Sequence, residues 1–399
     1  RQSDRSAPST RTRPSDPMLH CVSFFSAGFN LAGPTSHVNL HSAAVPLSRS
    51  SVPFAAAAAA ENVDEVELRF RDLEVTKERA PEVLALMEEH SFPLGLAQRA
   101  VESAKTFPVR FWVVDNSGSM GYDDGQRLAQ DSTGTFKVVQ STRWQELTQD
   151  IEAVASLSHL IGARTEFYPL NPVGAKPMIV TGKKGELESL KAGLGQPRDR
   201  TPLAETTERI VDKVMDLAPS LLACGEKACV VIATDGRPTD GEDAFKRAVE
   251  RLLKLPVFLV FRLCTNDEEV IDYYNELDAQ LEKGVEVIDD LYGEALEIKD
   301  AGNTWLTYGP PMQLARYFGM KDQIFDLIDQ SALLPSQIKM MCEAVLGCAN
   351  LPDPDVDPEA FIAAVDEQVA LHPKVFDPPS GKMQPWIKTD VLRTRLKCK

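Results

Sequence analysis

The run Phe111-Trp-Val-Val-Asp-Asn-Ser-Gly-Ser-Met120 constrains this chain most. Four apolar residues lead into Asp115-x-Ser117-x-Ser119. A short apolar run bounded by glycine and polar residues predicts a strand buried on both faces, the kind found in parallel sheets. The oxygen side chains then fall in the loop at the strand's C-terminal end, the edge where open α/β sheets place their ligands. Asp and Ser oxygens alternating about a glycine suit a small hard cation, and with no Cys or His beside them they do not suggest zinc.

Two later segments extend the pattern. Thr201-Pro202-Leu203 stands in a predicted loop before an amphipathic stretch, and Val230-Val-Ile-Ala-Thr-Asp235-Gly236 is a second apolar strand ending in an acid. In order and strand-end setting, Asp115-x-Ser117-x-Ser119, Thr201 and Asp235 resemble the metal-ion-dependent adhesion site of von Willebrand factor A (VWA) domains. The resemblance spans roughly Pro108 to Leu291. It implies a doubly wound, mostly parallel α/β sheet of the Rossmann-like kind, with Mg2+ or Mn2+ at the strand edge. It further implies that Ser117 and Ser119 bind the ion directly and Thr201 directly or through water. Asp115 and Asp235 would hold the ion's waters and supply charge. Asp123 and Asp124 are candidate accessory carboxylates, although Asp-Gly is also an ordinary turn.

The alternation of elements agrees. Strands are expected at 110–115, 164–170, 177–181, 228–234, 256–263 and 285–289. Helices are expected at Trp144–Leu160, 185–193, 203–217, 242–254 and 267–282, which together predict a doubly wound sheet. Between Ser119 and the first of these helices, Gly121 to Thr142 reads as a hairpin, with strands Gln126–Gln130 and Phe136–Gln140 about an Asp131-Ser-Thr-Gly134 turn. Long insertions beside a ligand edge are often functional.

Outside residues 108–291 the pattern changes. Residues 1–60 are Ser-, Pro- and Ala-rich, have no strong period, and are expected to be disordered or a targeting segment. From Pro17 to Ala60 there are seven Ser, one Arg and no acid, which resembles an organelle transit peptide, with Met18 a candidate initiator. Residues 61–107 predict a small helical region, with Pro81 at a first helical position and a turn at Ser91-Phe92-Pro93 before a second helix. Residues 292–373 predict a C-terminal helical region with helices near 312–319, 321–330, 335–347 and 358–371. Residues 374–399 carry seven Lys or Arg against two Asp and are expected to be a basic, solvated tail.

Charge narrows the partners. The 399 residues have a net charge of −16, while residues 1–60, with five Arg and two Asp, contribute +3. An acidic body argues against nucleic acid and against anionic membrane. No uncharged run approaches the ~20 residues that span a bilayer. The seven Cys (Cys21, Cys224, Cys229, Cys264, Cys342, Cys348 and Cys398) are irregularly spaced and read as reduced thiols of an intracellular protein, hence a cytoplasmic location with an organelle as the alternative.

An enzyme would need a nucleophile or base. Ser117 stands where an aspartyl phosphotransferase would need its second acid, and neither nucleotide-binding glycine motif is present. His90 and His159 lie in helical patterns with no Ser or Cys partner legible. With no such set legible, the resemblance implies a metal-dependent protein-binding module and not an enzyme, its ion bridging to a carboxylate of a partner protein. The alternatives are a Mg2+-dependent hydrolase and a domain whose ion only stabilises the fold.

Overall fold

The computed structural model describes residues 80–131, 135–174, 176–281, 285–320 and 322–397. The readings for residues 1–60 and 61–79 lie outside them. Two helices lead into the sheet. Helix α1 (Ala80–His90) buries Val83 and Leu86, and α2 (Leu94–Thr106) buries Leu96, Ala100 and Val101. Strand β1 (Val109–Val114) is buried throughout. A 3-10 turn at Gly118–Gly121 follows. Then come the hairpin β2 (Gly125–Gln130) and β3 (Phe136–Ser141), and α3 (Arg143–Leu160). The chain continues through β4 (Arg164–Pro169), β5 (Met178–Val180), α4 (Glu186–Leu194) and α5 (Leu203–Cys224). Strand β6 (Ala228–Thr234), α6 (Glu242–Leu253), β7 (Val257–Leu263), α7 (Glu268–Gln280) and β8 (Glu286–Ile288) complete the sheet.

The sheet order is β5-β4-β1-β6-β7-β8, parallel except for the edge strand β5. From β1 the chain first builds outward through β4 and then returns to add β6, β7 and β8 on the other side. The order therefore reverses between β1 and β6, a topological switch point of a doubly wound α/β fold. Successive strand residues alternate between the two faces. On β1, Phe111 and Val113 face a core shared with α5, α6 and α7, while Trp112 and Val114 face the larger core that includes Leu147 and Ile151 of α3.

That larger core continues into the flanking helices, which sequence patterning sets apart as separate regions. Helix α8 (Leu291–Asp300), capped by the Asp290 side chain, follows β8 at once. It is succeeded by α9 (Pro310–Tyr317), α10 (Pro335–Leu346) and α11 (Pro358–Val369). Leu314, Met341 and Phe361 from this region belong to the same core as Trp112 and Val231. Trp112 and Tyr317 meet edge to face at 6.1 Å, and the buried Arg110 donates to the Phe318 carbonyl at 2.8 Å. At the contact of α2 with α10, a Cβ on Gly95 would lie 2.1 Å from the Ala344 carbonyl oxygen, so only glycine allows this approach.

Three expectations are corrected. The helix expected at 321–330 is absent from the described residues 322–330, where only Phe325–Leu327 forms a 3-10 turn. Helix α5 does not stop at 217 but runs through Pro219, whose ring is on the exposed side and costs the helix one hydrogen bond. The basic tail is not a solvated end. It forms β9 (Val375–Asp377), β10 (Lys382–Gln384) and α12 (Thr389–Arg395), and it buries Phe376, Trp386, Ile387 and Leu392. Backbone bonds from Thr307 N–H to Trp386 O (2.9 Å) and from Lys388 N–H to Trp305 O (2.7 Å) tie it in. Among the described residues, no helix is long and apolar enough to cross a membrane.

Candidate metal-binding edge

The ends of β1 and β6 deliver two acids to the switch point. Asp115 continues the ladder by donating its N–H to Ala233 O at 2.9 Å, which sets it beside Thr234. One Asp115 oxygen accepts the Thr234 hydroxyl at 2.5 Å and the other accepts the Ser117 N–H at 2.8 Å. The Ser117 and Ser119 hydroxyls are 3.1 Å apart, and Ser119 Oγ donates to Asp235 Oδ1 at 2.9 Å. Asp115, Ser117, Ser119 and Asp235 are thus linked in one hydrogen-bonded chain. The 3-10 turn closes this loop through Met120 N–H to Ser117 O and Tyr122 N–H to Ser119 O.

Thr201 is carried in on a second loop. Gly118 N–H donates to Asp199 O at 3.2 Å, and Arg198 N–H donates to Asn116 O at 2.8 Å. Asn171 fastens the same loop by donating to the Arg198 and Arg200 carbonyls, and it exchanges hydrogen bonds with Asn116. Thr201 is buried, and its backbone pairs with Thr239 in both directions. The bonds that bring this loop to the edge run from Arg198 and Asp199, not from Thr201 itself.

The accessory carboxylates divide. Both oxygens of Asp124 accept from Arg143, at 2.6 Å from Nε and 2.6 Å from Nη2. Arg143 Nη1 also donates to Asp235 Oδ2 at 2.9 Å. Asp124 thus reaches the site through an arginine, whose hydrogen bonds hold its carboxyl below the usual range. Asp123 is exposed, and its backbone carbonyl accepts from Gln140 Nε2 at 2.5 Å. Sequence reading overlooks Arg143, yet one signal was available: it is the first residue of α3, behind a Thr142–Gln145 capping box, where a cation opposes the helix dipole and needs acids to hold it.

The electrostatics suit a cation. Burial, and then the charge of Asp235, push Asp115 up to about 6. Burial also raises Asp235, against the hydrogen bonds and charge of Arg143. Two buried carboxylates that oppose each other's ionisation are stabilised together by a positive ion. The donors are all oxygen, as Mg2+ and Mn2+ prefer. Among the described residues, no group of three or more His, Cys, Asp or Glu is placed to hold a metal, so an ion here would rest on two acids and on hydroxyls.

Away from the edge, Ser156 Oγ lies 3.3 Å from His90 Nε2, a pairing that sequence did not reveal. It sits where α1 packs on α3, and burial lowers the imidazole to about 4, so the ring is neutral near pH 7. The five described cysteines are free, and Cys229, Cys264 and Cys342 are buried.

Fold and edge together define a doubly wound α/β protein with an oxygen-lined site at its switch point. No family model matches the chain, and no curated protein matches it in sequence. Among solved structures, it is similar to the manganese-loaded TRAP protein of Plasmodium vivax. The identity is 13% and the TM-score 0.31, over 48% of this chain and 71% of the other. A likeness of that size carries no conclusion about function.

Proposed function

We propose that this chain is a metal-dependent protein-binding module rather than an enzyme. One observation carries the reading: Asp115, Ser117, Ser119 and Asp235 converge at the switch point, with Asp115 held by the Thr234 and Ser117 hydroxyls and the Ser117 N–H. Bound Mg2+ or Mn2+ would supply a hard, partly hydrated cation that accepts an oxygen ligand from outside. Ser117, Ser119 and Thr201 are the neutral donors and Asp115 and Asp235 the charged ones. With few anions around it, the ion would take a carboxylate from a partner protein. The β2–β3 hairpin beside the edge would contribute to partner choice. Exposed Tyr122 and Val173 flank the same loops and offer apolar contacts.

A pull-down from lysate in millimolar Mg2+ and in EDTA tests this reading. Partner capture is expected in Mg2+ only and is expected to vanish in Asp115→Ala and Ser119→Ala, with folds unchanged by circular dichroism. Capture that persists in EDTA, or wild-type capture by both variants, overturns it.

A further inference from the structure

We propose that Arg143 is a built-in counter-cation that sets how tightly the edge holds its divalent ion, and that Asp124 moderates it. This rests on the metal-dependent reading above. Three features carry the inference. The guanidinium makes three short bonds to two acids, and its side chain is only 10% exposed. Its charge is therefore poorly screened at Asp235. The oxygens of Asp235 are divided, one taking the Ser119 hydroxyl and the other the arginine. An ion held near Asp115 and Asp235 would thus meet an acid whose charge is already partly neutralised, beside a fixed positive charge. Finally, Asp124 takes two of the three guanidinium bonds and draws part of that charge away from Asp235. The Tyr122 ring lies 5.2 Å from the guanidinium carbon and keeps it in place.

An arginine here opposes the dipole of α3, so the contact is no by-product of helix capping. Its consequence is an edge that binds its ion weakly by itself. An incoming carboxylate then adds the anion that the site lacks, so ion and partner reinforce each other's binding.

Two substitutions with opposite expected signs separate this role from a merely structural one. Arg143→Gln removes the charge and keeps a hydrogen-bonding side chain. Asp124→Asn leaves the charge in place with Asp235 as its remaining acid. MgCl2 is titrated calorimetrically into the full chain, and melts in EDTA report the fold. Arg143→Gln is expected to lower the Kd for Mg2+ about tenfold and to melt earlier in EDTA, while Asp124→Asn is expected to raise the Kd about threefold. A brace for the 122–124 loop would make both variants bind worse. Changes in the same direction, or no change, overturn the proposal. If wild type is silent while Arg143→Gln takes up Mg2+, the role of Arg143 stands and the metal-dependent reading of the native chain falls. If every protein is silent, both fall. Should Arg143→Gln fail to fold, Arg143→Met, which keeps the length of the side chain without its charge, is titrated in its place with the same expected sign; unchanged or weakened Mg2+ binding would overturn the proposal.

Discussion

Arg316, buried where α9 meets β8 and α8, contacts three carboxylates, whereas Asp115, equally buried at the end of β1, is held by hydroxyls and an amide N–H. Arg316 bonds Glu286 at 2.8 Å, Glu294, and Asp329 at 3.4 Å. Arg262 on β7 does the same for Glu146 and for Asp150, the latter at 2.9 Å. Each of these five acids touches a guanidinium, so each has a cationic partner inside the protein. At the switch point only Asp235 has such a partner. The difference separates charge that holds the fold from charge arranged to receive something. Burial lifts acids in both places, Glu146 to about 7 and Asp115 to about 6, so a raised acid alone does not mark a site. What distinguishes Asp115 is which partners surround it.

The largest effect should come from breaking a cluster centred on one guanidinium. Arg316→Met leaves Glu286, Glu294 and Asp329 without their cation and is expected to cost about 3–5 kcal/mol of stability. Asp115→Asn keeps the site's shape while removing a charge that burial and Asp235 oppose, so in EDTA it should be no less stable than wild type. Urea unfolding of both variants checks the contrast. A large loss from Asp115→Asn would place Asp115 among the structural acids.

Metal should act at one region only. Saturating Mg2+ at 100 times its Kd is expected to stabilise wild type by about 2.7 kcal/mol, and Arg262→Lys by about the same increment where that variant folds. Asp115→Ala should show no increment in a thermal melt. An increment retained in Asp115→Ala would move the ion elsewhere.

The pH dependence should be no larger than the metal increment, and its sign is defined. Folding raises Asp115 from its unfolded value near 4 to about 6, so the folded state holds this proton more tightly. The resulting stability is complete below about pH 4 and is lost as pH rises through about 6, with a slope of at most about 1.4 kcal/mol per pH unit. Glu146 and Glu286 shift in the same direction, so the difference between wild type and Asp115→Asn isolates Asp115. Denaturation in EDTA from pH 4 to 8 should give a difference curve that falls through this window. Saturating Mg2+ should flatten the curve, because the ion takes over the proton's role.

How legible each region was in sequence follows the same division. The switch-point acids and hydroxyls were readable because each ends an apolar strand or sits two or four residues further on, so local pattern and fold agree at Asp115, Ser117, Ser119 and Asp235. The parallel strands were readable for the same reason, being short apolar runs buried on both faces. The Arg143–Asp124 pair was not, since its partners are 19 residues apart and meet only when the hairpin closes. The tail misled because its lysines and arginines outnumber its acids, yet Phe376, Trp386 and Ile387 bury it. Helix α8 was missed because its start depends on Asp290, one residue beyond the expected end of the last strand.

The smallest expected effect concerns the hairpin, which lies between the two regions compared. It is anchored on α3 by Leu128, whose N–H donates to Gln149 Oε1 at 3.0 Å and whose carbonyl accepts from Gln149 Nε2 at 2.9 Å. At its far end the Phe136 ring lies 5.9 Å from that of Phe376 in the buried tail. Aromatic pairs of this kind contribute about 0.5–1.5 kcal/mol beyond their burial, so Phe136→Ala should lower stability by about 1 kcal/mol. None of these contacts involves Asp115, Ser117, Ser119 or Asp235, and Asp124 with its Arg143 bonds precedes β2. Phe136→Ala should therefore leave the Mg2+ affinity unchanged while altering the strength or range of partner capture. A calorimetric titration and a pull-down on the same variant check both halves. A shifted Mg2+ affinity would show that the hairpin belongs to the ion site itself, and unchanged capture would remove it from partner choice.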